Sequence, residues 1–221
     1  MVTTEVTISR EQIIGINHPL EYVGIDWETY KDISVELDGL KSFHLAYSGR
    51  ILTIMPISDV HEFLSYLLGQ FMGLVSLATR TNIIPTGSAT LRSKTRLIGV
   101  EPDLSFFVAN AGSHRLKGYV PDEIDLPPDI VIEIDISRTS HDKCDIYSRL
   151  GVSEFWQYDG KLLKMFKLNN RSSYELTERS EELPILTGEI LTQFLNRGKA
   201  EEGQFKLLTD FQNWLQNSNE Q

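Results

Sequence analysis

Hydrophobic side chains recur along the chain at two spacings, which predict alternating helices and strands. Between residues 59 and 79 they return every three or four positions, as in a helix with one buried face. Three apolar or alternating segments, 83–92, 103–109 and 129–136, are typical of strands. A short amphipathic helix over 141–150 and a strand over 153–159 follow. The order helix, strand, strand, strand, helix, strand predicts a mixed α/β sheet with helices on its faces.

Further elements are predicted on either side of this core. A short helix over 27–37 precedes a hairpin over 43–57 that turns at Ser48-Gly49, and a second hairpin returns over 162–168 after Asp159-Gly160. Helices are predicted at 188–196 and 206–216, and residues 217–221 are expected to fray. These patterns predict an N-terminal extension over 1–25, one domain over 26–197 and a C-terminal helical tail over 198–221.

Net charge limits the kind of partner that the chain can bind. A net charge of −10 over 221 residues argues against strong non-specific binding of nucleic acid, which needs a basic face. A local patch is compatible with an acidic whole, and Arg92, Lys94 and Arg96 are the candidates for contacts with nucleic acid, with Arg80 nearby in sequence. The alternative interpretation of this group is a solvated loop.

Sequence features predict a cytoplasmic protein with no membrane-spanning segment. The single cysteine, Cys144, cannot form an intrachain disulfide, which favours a reducing compartment. The first residues lack the pattern of a secretion signal. No apolar stretch approaches the roughly 18 uninterrupted residues of a membrane span.

Acidic residues interrupt two otherwise apolar strand patterns. Asp103 opens the apolar run LSFFV, and Glu133 lies within IVIEIDI. Carboxylates in buried strands are costly unless they meet a cation or strong donors. Glu133 and Asp135 fall on one face because strand side chains alternate, and a divalent metal would resolve their repulsion. Two alternatives stay open: Asp103 caps a turn, or Glu133 pairs with Arg138 or Lys143.

Three further residues are candidates for the same site. Lys143 shares a helix face with Tyr147, four residues on, so it is expected to point toward the sheet; the alternative is a lysine at the helix edge with its stem along apolar surface. His61 lies at the edge of the apolar stripe of the long helix. Glu62 falls near the opposite face, where a first-turn glutamate interacts favourably with the helix dipole.

Several stretches together resemble a known family. EPDLSFF, VIEIDISRTS and KCDIYSRLGVSEFWQYD are similar to the restriction-endonuclease-like proteins that are greatly expanded in cyanobacteria, within the PD-(D/E)xK nuclease superfamily. MPISDVHE, GSATLR, LPILTGEILTQFL and FQNWL extend the resemblance over roughly residues 25–215. The most specific part is IYSRLGVSEFWQYD.

This resemblance implies an α-β-β-β-α-β nuclease core that uses a divalent metal, usually magnesium, with manganese as the substitute. It carries Asp103 and Glu133 over as metal ligands. The chain departs from the superfamily pattern at Asp135, which stands where a lysine is expected. Lys143, on the following helix, would then supply the ammonium group.

Three functions compete at this point. The first is a metal-dependent endonuclease that cuts DNA, with Asp103 and Glu133 at the metal and Lys143 stabilising the transition state. The second is an idle nuclease fold kept as a binding protein, which the acidic charge and Asp135 favour. The third is a metal-dependent hydrolase of another phosphoester. A homodimer is a further expectation.

Overall fold

The computed structural model describes residues 8, 10–13, 15–37, 43–114, 119–136, 143–170, 172–200 and 203–218. Its helices are Arg10–Ile13 (α1), Trp27–Leu37 (α2), Asp59–Thr79 (α3), Lys143–Leu150 (α4), Gly188–Lys199 (α5) and Gln204–Ser218 (α6). Its strands are Leu20–Val23 (β1), Phe43–Ser48 (β2), Ile51–Pro56 (β3), Ile84–Pro85 (β4), Leu91–Ser93 (β5), Ile98–Val100 (β6), Leu104–Phe107 (β7), Ile130–Ile134 (β8), Glu154–Tyr158 (β9), Leu163–Leu168 (β10) and Tyr174–Thr177 (β11).

The chain packs as two compact units, each made of separated segments. The first unit comprises Met1–Ser58, Thr90–Glu101 and Tyr119–Ile124, and the second comprises Asp59–Ala89, Pro102–Gly118 and Asp125–Gln221. The predicted domains, 1–25, 26–197 and 198–221, are each continuous in sequence, whereas the two compact units are not. The predicted division stays a prediction.

The first unit is a five-stranded sheet in the order β1-β3-β2-β6-β5 with α2 packed on it. Two residues with positive φ, Gly49 at 58° and Arg50 at 66°, form the turn of the β2–β3 hairpin. Such a turn matches the twist of paired strands. A close approach fixes one residue of β6, because a Cβ at Gly99 would lie 2.0 Å from the Tyr30 hydroxyl of α2.

The second unit contains a six-stranded sheet in the order β11-β10-β9-β8-β7-β4. Its pairs are antiparallel except β8 and β9, which run parallel and are joined through α4. A parallel pair needs such a crossover, usually a helix. The order α3, β4, β7, β8, α4, β9 is the α-β-β-β-α-β core that the sequence predicts.

Strand β8 is buried on both faces, and its side chains point alternately to one face and to the other. Ile130, Ile132 and Ile134 join a core with one face of α3 and with residues of α5 and α6. Side chains at 131 and 133 point to the opposite face because strand residues alternate. Phe155 of β9 stacks there on Tyr147 of α4, with ring centroids 5.5 Å apart. Glu133 therefore lies on the face that α4 covers.

Most sequence-based elements are confirmed. Helices over 27–37 and 59–79 match residue for residue. Helix α4 ends at Leu150, as predicted, and Gly151 follows it with a φ of 84°. The helix predicted at 188–196 extends to residue 199, and that predicted at 206–216 spans 204–218, so residues 217 and 218 are helical. Residues 141–142 and 219–221 lie outside the described residues.

Other expectations are wrong. The single strand expected over 83–92 is two strands, β4 and β5, which belong to different sheets. Gly87, with a φ of 58°, lies between them. The first hairpin turns at residues 49–50, one position later than predicted. The sequence pattern also gave no prediction of α1, β1, β6 or β11. Among the helices of the described residues, none has the length and apolar character to span a membrane.

A buried carboxylate in the second unit provides a stability test. Glu154 is 2% exposed and accepts hydrogen bonds from four donors: Trp156 Nε1 at 2.8 Å, Ser180 Oγ at 3.1 Å, and the backbone N–H groups of residues 181 and 182 at 2.7 and 2.8 Å. Glu154→Ala should lower the free energy of unfolding by roughly 3 kcal/mol or more, because buried donors lose their acceptor. Urea unfolding measures this loss.

Glu178→Ala is the control, because Glu178 is exposed. It should change the free energy of unfolding by no more than about 0.5 kcal/mol. Equal effects of the two substitutions would show that the four hydrogen bonds of Glu154 contribute nothing beyond those of a solvated carboxylate.

Candidate active site

Asp103 precedes β7 and is tied to the neighbouring strand. Its side chain is buried, and its Oδ2 accepts a hydrogen bond from the backbone N–H of Ile134 at 2.5 Å. Because β7 and β8 are antiparallel, with Leu104 opposite Ile132, the start of one strand lies beside the end of the other. Strand pairing thus brings Asp103 close to the residue that follows Glu133.

Glu133 is almost fully buried and is held by two residues of α4. Lys143 Nζ donates to its Oε2 at 2.6 Å, and the Tyr147 hydroxyl donates to its Oε1. Lys143 is 6% exposed, which rules out a solvated lysine at the helix edge. Lys143 and Tyr147 are four residues apart and lie on one helix face. The Glu133–Lys143 pair considered from the sequence is therefore present, whereas Arg138 lies outside the described residues.

His61 joins the other carboxylate from α3. Its Nε2 lies 2.8 Å from Asp103 Oδ2, and its side chain is 12% exposed. Glu62, the next residue, is 62% exposed, and its Oε1 is 3.7 Å from His61 Nδ1. The structure thus gives two pairs in the second unit, His61 with Asp103 and Lys143 with Glu133, and the charge of Asp103 acts on the second pair. It leaves Glu62 at the surface.

Charge and burial act against each other within this group. Burial raises the pKa of Glu133, and the carboxylates of Asp103 and Asp135 raise it further, while the Lys143 ammonium opposes that rise. Burial disfavours the charged form of Lys143, but Glu133 and Asp103 outweigh it and raise the Lys143 pKa. Burial likewise opposes the imidazolium of His61, but the hydrogen bond with Asp103 and the negative charges of Asp103 and Glu62 together outweigh it and raise the pKa of His61.

Asp135 lies just beyond β8 and has a partner of its own. Gln157 Nε2 donates to its Oδ2 at 2.7 Å. Gln157 stands opposite Glu133 in the parallel pairing of β8 and β9. The residue at the superfamily's lysine position therefore accepts a hydrogen bond from an amide side chain of the next strand.

The three basic candidates belong to the first unit, and their environments differ. Arg92 is 7% exposed, and its guanidinium donates to Ser34 Oγ at 2.6 Å and to the Tyr30 hydroxyl at 3.3 Å. A guanidinium buried in this way does not fit a surface contact with phosphate, so that expectation for Arg92 is corrected. Lys94 and Arg96 are exposed, and Lys94 Nζ lies 3.3 Å from Glu28 Oε1.

Two side chains at the site were not among the sequence-based candidates. The sequence predicts only that Tyr147 shares a helix face with Lys143, although the same spacing of four residues brings both side chains to Glu133. For Gln157 the sequence predicts only a place in a strand, because its contact with Asp135 depends on the register of β8 and β9. The backbone N–H that binds Asp103 has no sequence signal, because it depends on strand pairing.

The donor set of the site suits a hard divalent cation. Both ligand candidates are carboxylates, and each oxygen of Glu133 accepts one hydrogen bond in the contacts above, which leaves it a second lone pair in those contacts. Within the described ranges, no three His, Cys, Asp or Glu side chains are grouped to hold a metal ion. Magnesium commonly takes one or two carboxylates and completes its coordination with water and phosphate oxygens. Asp103 and Glu133 therefore fit magnesium or manganese.

Comparison with known families assigns most of the chain to one family. The family model "Uma2: Putative restriction endonuclease" matches residues 27–196. The chain belongs to this family. The match contains every residue of the candidate site.

Solved structures place the Uma2 chain in a nuclease-like fold. A crystal structure described as a putative nuclease belonging to DUF820 from Anabaena variabilis matches with a TM-score of 0.50 and 13% sequence identity. The match covers 77% of this chain and 99% of that chain. At this identity the likeness shows the fold alone. The search of curated proteins found no match.

The buried pair gives a stability prediction that does not depend on activity. Lys143→Met should lower the free energy of unfolding by about 3–5 kcal/mol, because Glu133 would lose its cation. Glu133→Gln in the Lys143→Met background should recover much of this loss, because the remaining buried group is then neutral. Urea unfolding of the two single variants and the double variant gives the coupling energy.

Lys167→Met is the control, because Lys167 Nζ makes an ion pair of the same 2.6 Å length with Glu181 at the surface. It should change the free energy of unfolding by no more than about 1 kcal/mol. Strictly additive effects of Lys143→Met and Glu133→Gln would contradict a coupled buried pair.

Proposed function

We propose that this chain is a magnesium- or manganese-dependent endonuclease that hydrolyses phosphodiester bonds of DNA. The observation that carries the proposal is the pair of buried carboxylates from adjacent strands, with the Lys143 ammonium 2.6 Å from one of them. Membership of the Uma2 family and the nuclease-like fold support the same conclusion.

Asp103 and Glu133 would hold the metal, each through a carboxylate oxygen. A divalent ion bound there supplies Lewis-acid activation of water and neutralises charge on the phosphate. Tyr147 and the Ile134 N–H restrict the rotation of Glu133 and Asp103 respectively, since each donates to one carboxylate oxygen. This fixes the direction of the ligand oxygens before substrate binds.

Lys143 would stabilise the negative charge that develops on the phosphate in the transition state. Its ammonium has three donors, and the contact with Glu133 uses one of them. Burial removes competing water, which strengthens its interaction with an anion. His61 would orient Asp103 through their 2.8 Å contact.

DNA would be held weakly. The net charge of −10 opposes binding of a polyanion, and of the three basic candidates Lys94 and Arg96 have the exposure that phosphate contacts need. Few phosphate contacts give a shallow dependence of affinity on salt, on the order of two counterions.

One observation favours an alternative. Asp135 stands at the superfamily's lysine position and binds Gln157, a neutral partner. The same fold would then serve as a binding protein without turnover, and the activity measurements below distinguish the two functions.

Nicking of supercoiled plasmid DNA in magnesium or manganese tests the proposal directly. The wild type should nick, and Asp103→Asn prepared in the same way should not. Lys143→Ala should reduce the rate by about a hundredfold or more, the scale of losing one charged stabiliser of the transition state. Lys164→Ala, an exposed lysine of β10, should nick at the wild-type rate.

A wild type that does not nick with either metal would reject the endonuclease in favour of the idle fold. If Lys143→Ala nicks as fast as the wild type, Lys143 serves stability and not catalysis.

Metal binding gives a second test with no substrate present. Titration with manganese in a calorimeter should show binding to the wild type, and the melting temperature should rise with metal concentration by mass action. Asp103→Asn and Glu133→Gln should each remove both effects, because only two carboxylates would hold the ion. Asp145→Asn, an exposed acid of α4, should leave them unchanged. Equal metal binding by the wild type and both site variants would disprove the assigned ligands.

A further inference from the structure

Asp135 lies close to the two groups that carry the proposed chemistry. It directly follows β8, and its N–H continues the pairing with β9 by donating to the Tyr158 carbonyl at 2.8 Å. Its side chain falls on the strand face of Glu133, because strand side chains alternate. Its negative charge repels the Glu133 carboxylate and attracts the Lys143 ammonium. Asp135 therefore belongs to the electrostatic environment of both groups.

A hydrogen bond from the neighbouring strand orients the Asp135 carboxylate. Gln157 Nε2 donates to its Oδ2 at 2.7 Å, and Gln157 stands opposite Glu133 across β8 and β9. An amide donor orients a carboxylate without adding a positive charge. The half-buried acid is thus held beside the site in a defined position.

Lys143 has little freedom to leave the site. Its side chain is 6% exposed, and its Nζ lies 2.6 Å from Glu133 Oε2. Tyr147, one turn further along α4, donates to the other oxygen of the same carboxylate. A buried ammonium needs negative charge nearby. Any other cation that binds Glu133 therefore competes with Lys143 for the charge of one carboxylate.

A divalent metal would take up the charge on which Lys143 depends. In the proposed function Asp103 and Glu133 are the ligands, and their two negative charges are cancelled by one divalent ion. The Lys143 ammonium then needs compensation from another acid, because an uncompensated buried charge is costly. Asp135 also attracts Lys143, and it is not one of the assigned ligands.

We infer that Asp135 is a positioning residue whose charge keeps the Lys143 ammonium beside Glu133 when a divalent metal binds. Gln157 supports this role by orienting the Asp135 carboxylate. The inference rests on the proposed function, because it needs the metal at Asp103 and Glu133. It gives the acid at the superfamily's lysine position a part in catalysis, where the idle fold would give it none.

Nuclear magnetic resonance of the lysine ammonium groups tests the inference with no substrate present. The full chain is isotope-labelled at the lysine nitrogens. The buried ammonium of Lys143 should give a signal protected from exchange with water, and Lys143→Arg identifies this signal by its loss. In the wild type the signal should persist when magnesium saturates the site. In Asp135→Asn it should be present without magnesium and lost at saturating magnesium.

The dependence on magnesium separates positioning from packing. The amide introduced by Asp135→Asn can still accept the hydrogen bond from Gln157, and a purely structural effect would also appear without metal. Asp145→Asn is the matched control, because Asp145 is an exposed acid of the same helix as Lys143. It should retain the protected signal with and without magnesium.

Plasmid nicking provides a second readout. At saturating magnesium, Asp135→Asn should lower kcat about tenfold with little change in KM for plasmid, the scale expected for a residue that supports a catalytic group. In the Lys143→Ala background the same substitution should have little further effect, because Asp135 acts through Lys143. Fully additive effects would contradict this dependence.

Three results of the resonance experiment would overturn the inference. The first is a wild type that loses the protected signal at saturating magnesium. The second is an Asp135→Asn variant that keeps it there. The third is an Asp135→Asn variant that no longer binds magnesium, which would make Asp135 a ligand.

Failure of the proposed function is distinguishable from these results. A wild type that binds no magnesium would overturn the inference together with the assigned ligands. A wild type that binds magnesium but does not nick would reject the endonuclease, and the ammonium signals would then decide on Asp135 alone.

Discussion

Burial of a carboxylate in the middle of a sheet is the constraint on which the candidate site depends. Glu133 lies in a strand covered on both faces, where an uncompensated charge costs several kcal/mol. The fold offsets that cost with hydrogen bonds from Lys143 and Tyr147 of α4. The Glu133 carboxylate therefore depends on the position of α4 for both of these partners. The same contacts that stabilise the buried Glu133 carboxylate place the Lys143 ammonium beside it.

Much of this could be predicted from local pattern. An acid within the β-branched run of β8 predicts a buried polar group, and a lysine four residues before a tyrosine predicts a shared helix face. The contact of His61 with Asp103 and the N–H donated by Ile134 could not be derived in this way. Both join residues that are far apart in sequence, and both depend on how strands and helices pack.

The errors have a related cause. The polar sequence around Arg92 predicts a surface cation, but α2 supplies the hydroxyls of Tyr30 and Ser34 that enclose it. The apolar pattern over 83–92 predicts one strand, although Pro85 and Gly87 within it are residues that commonly end strands. The burial of Arg92 depends on a helix distant in sequence, whereas the break within 83–92 depends on local turn residues.

The lysine beside Glu133 comes from helix α4 and not from strand β8. The superfamily pattern expects a lysine on the strand, two residues after the glutamate, and Asp135 stands there. Lys143 reaches the same glutamate from the helix that follows, because its long side chain spans the gap between helix and sheet. In the proposed function, the Lys143 ammonium would take the part of the strand lysine, and α4 would then belong to the site as well as to the crossover.

The interrupted order of the first unit has a consequence during synthesis. Strand β2 lies between β3 and β6 in the sheet, but β6 is encoded more than forty residues after β3 and beyond the whole of α3. Once the β2–β3 hairpin has left the ribosome, its β2 edge therefore stays unpaired until β6 has also emerged. Unpaired strand edges are templates for pairing with other chains. The β2 edge is thus open to pairing with other chains, and hence to aggregation, until β6 reaches it.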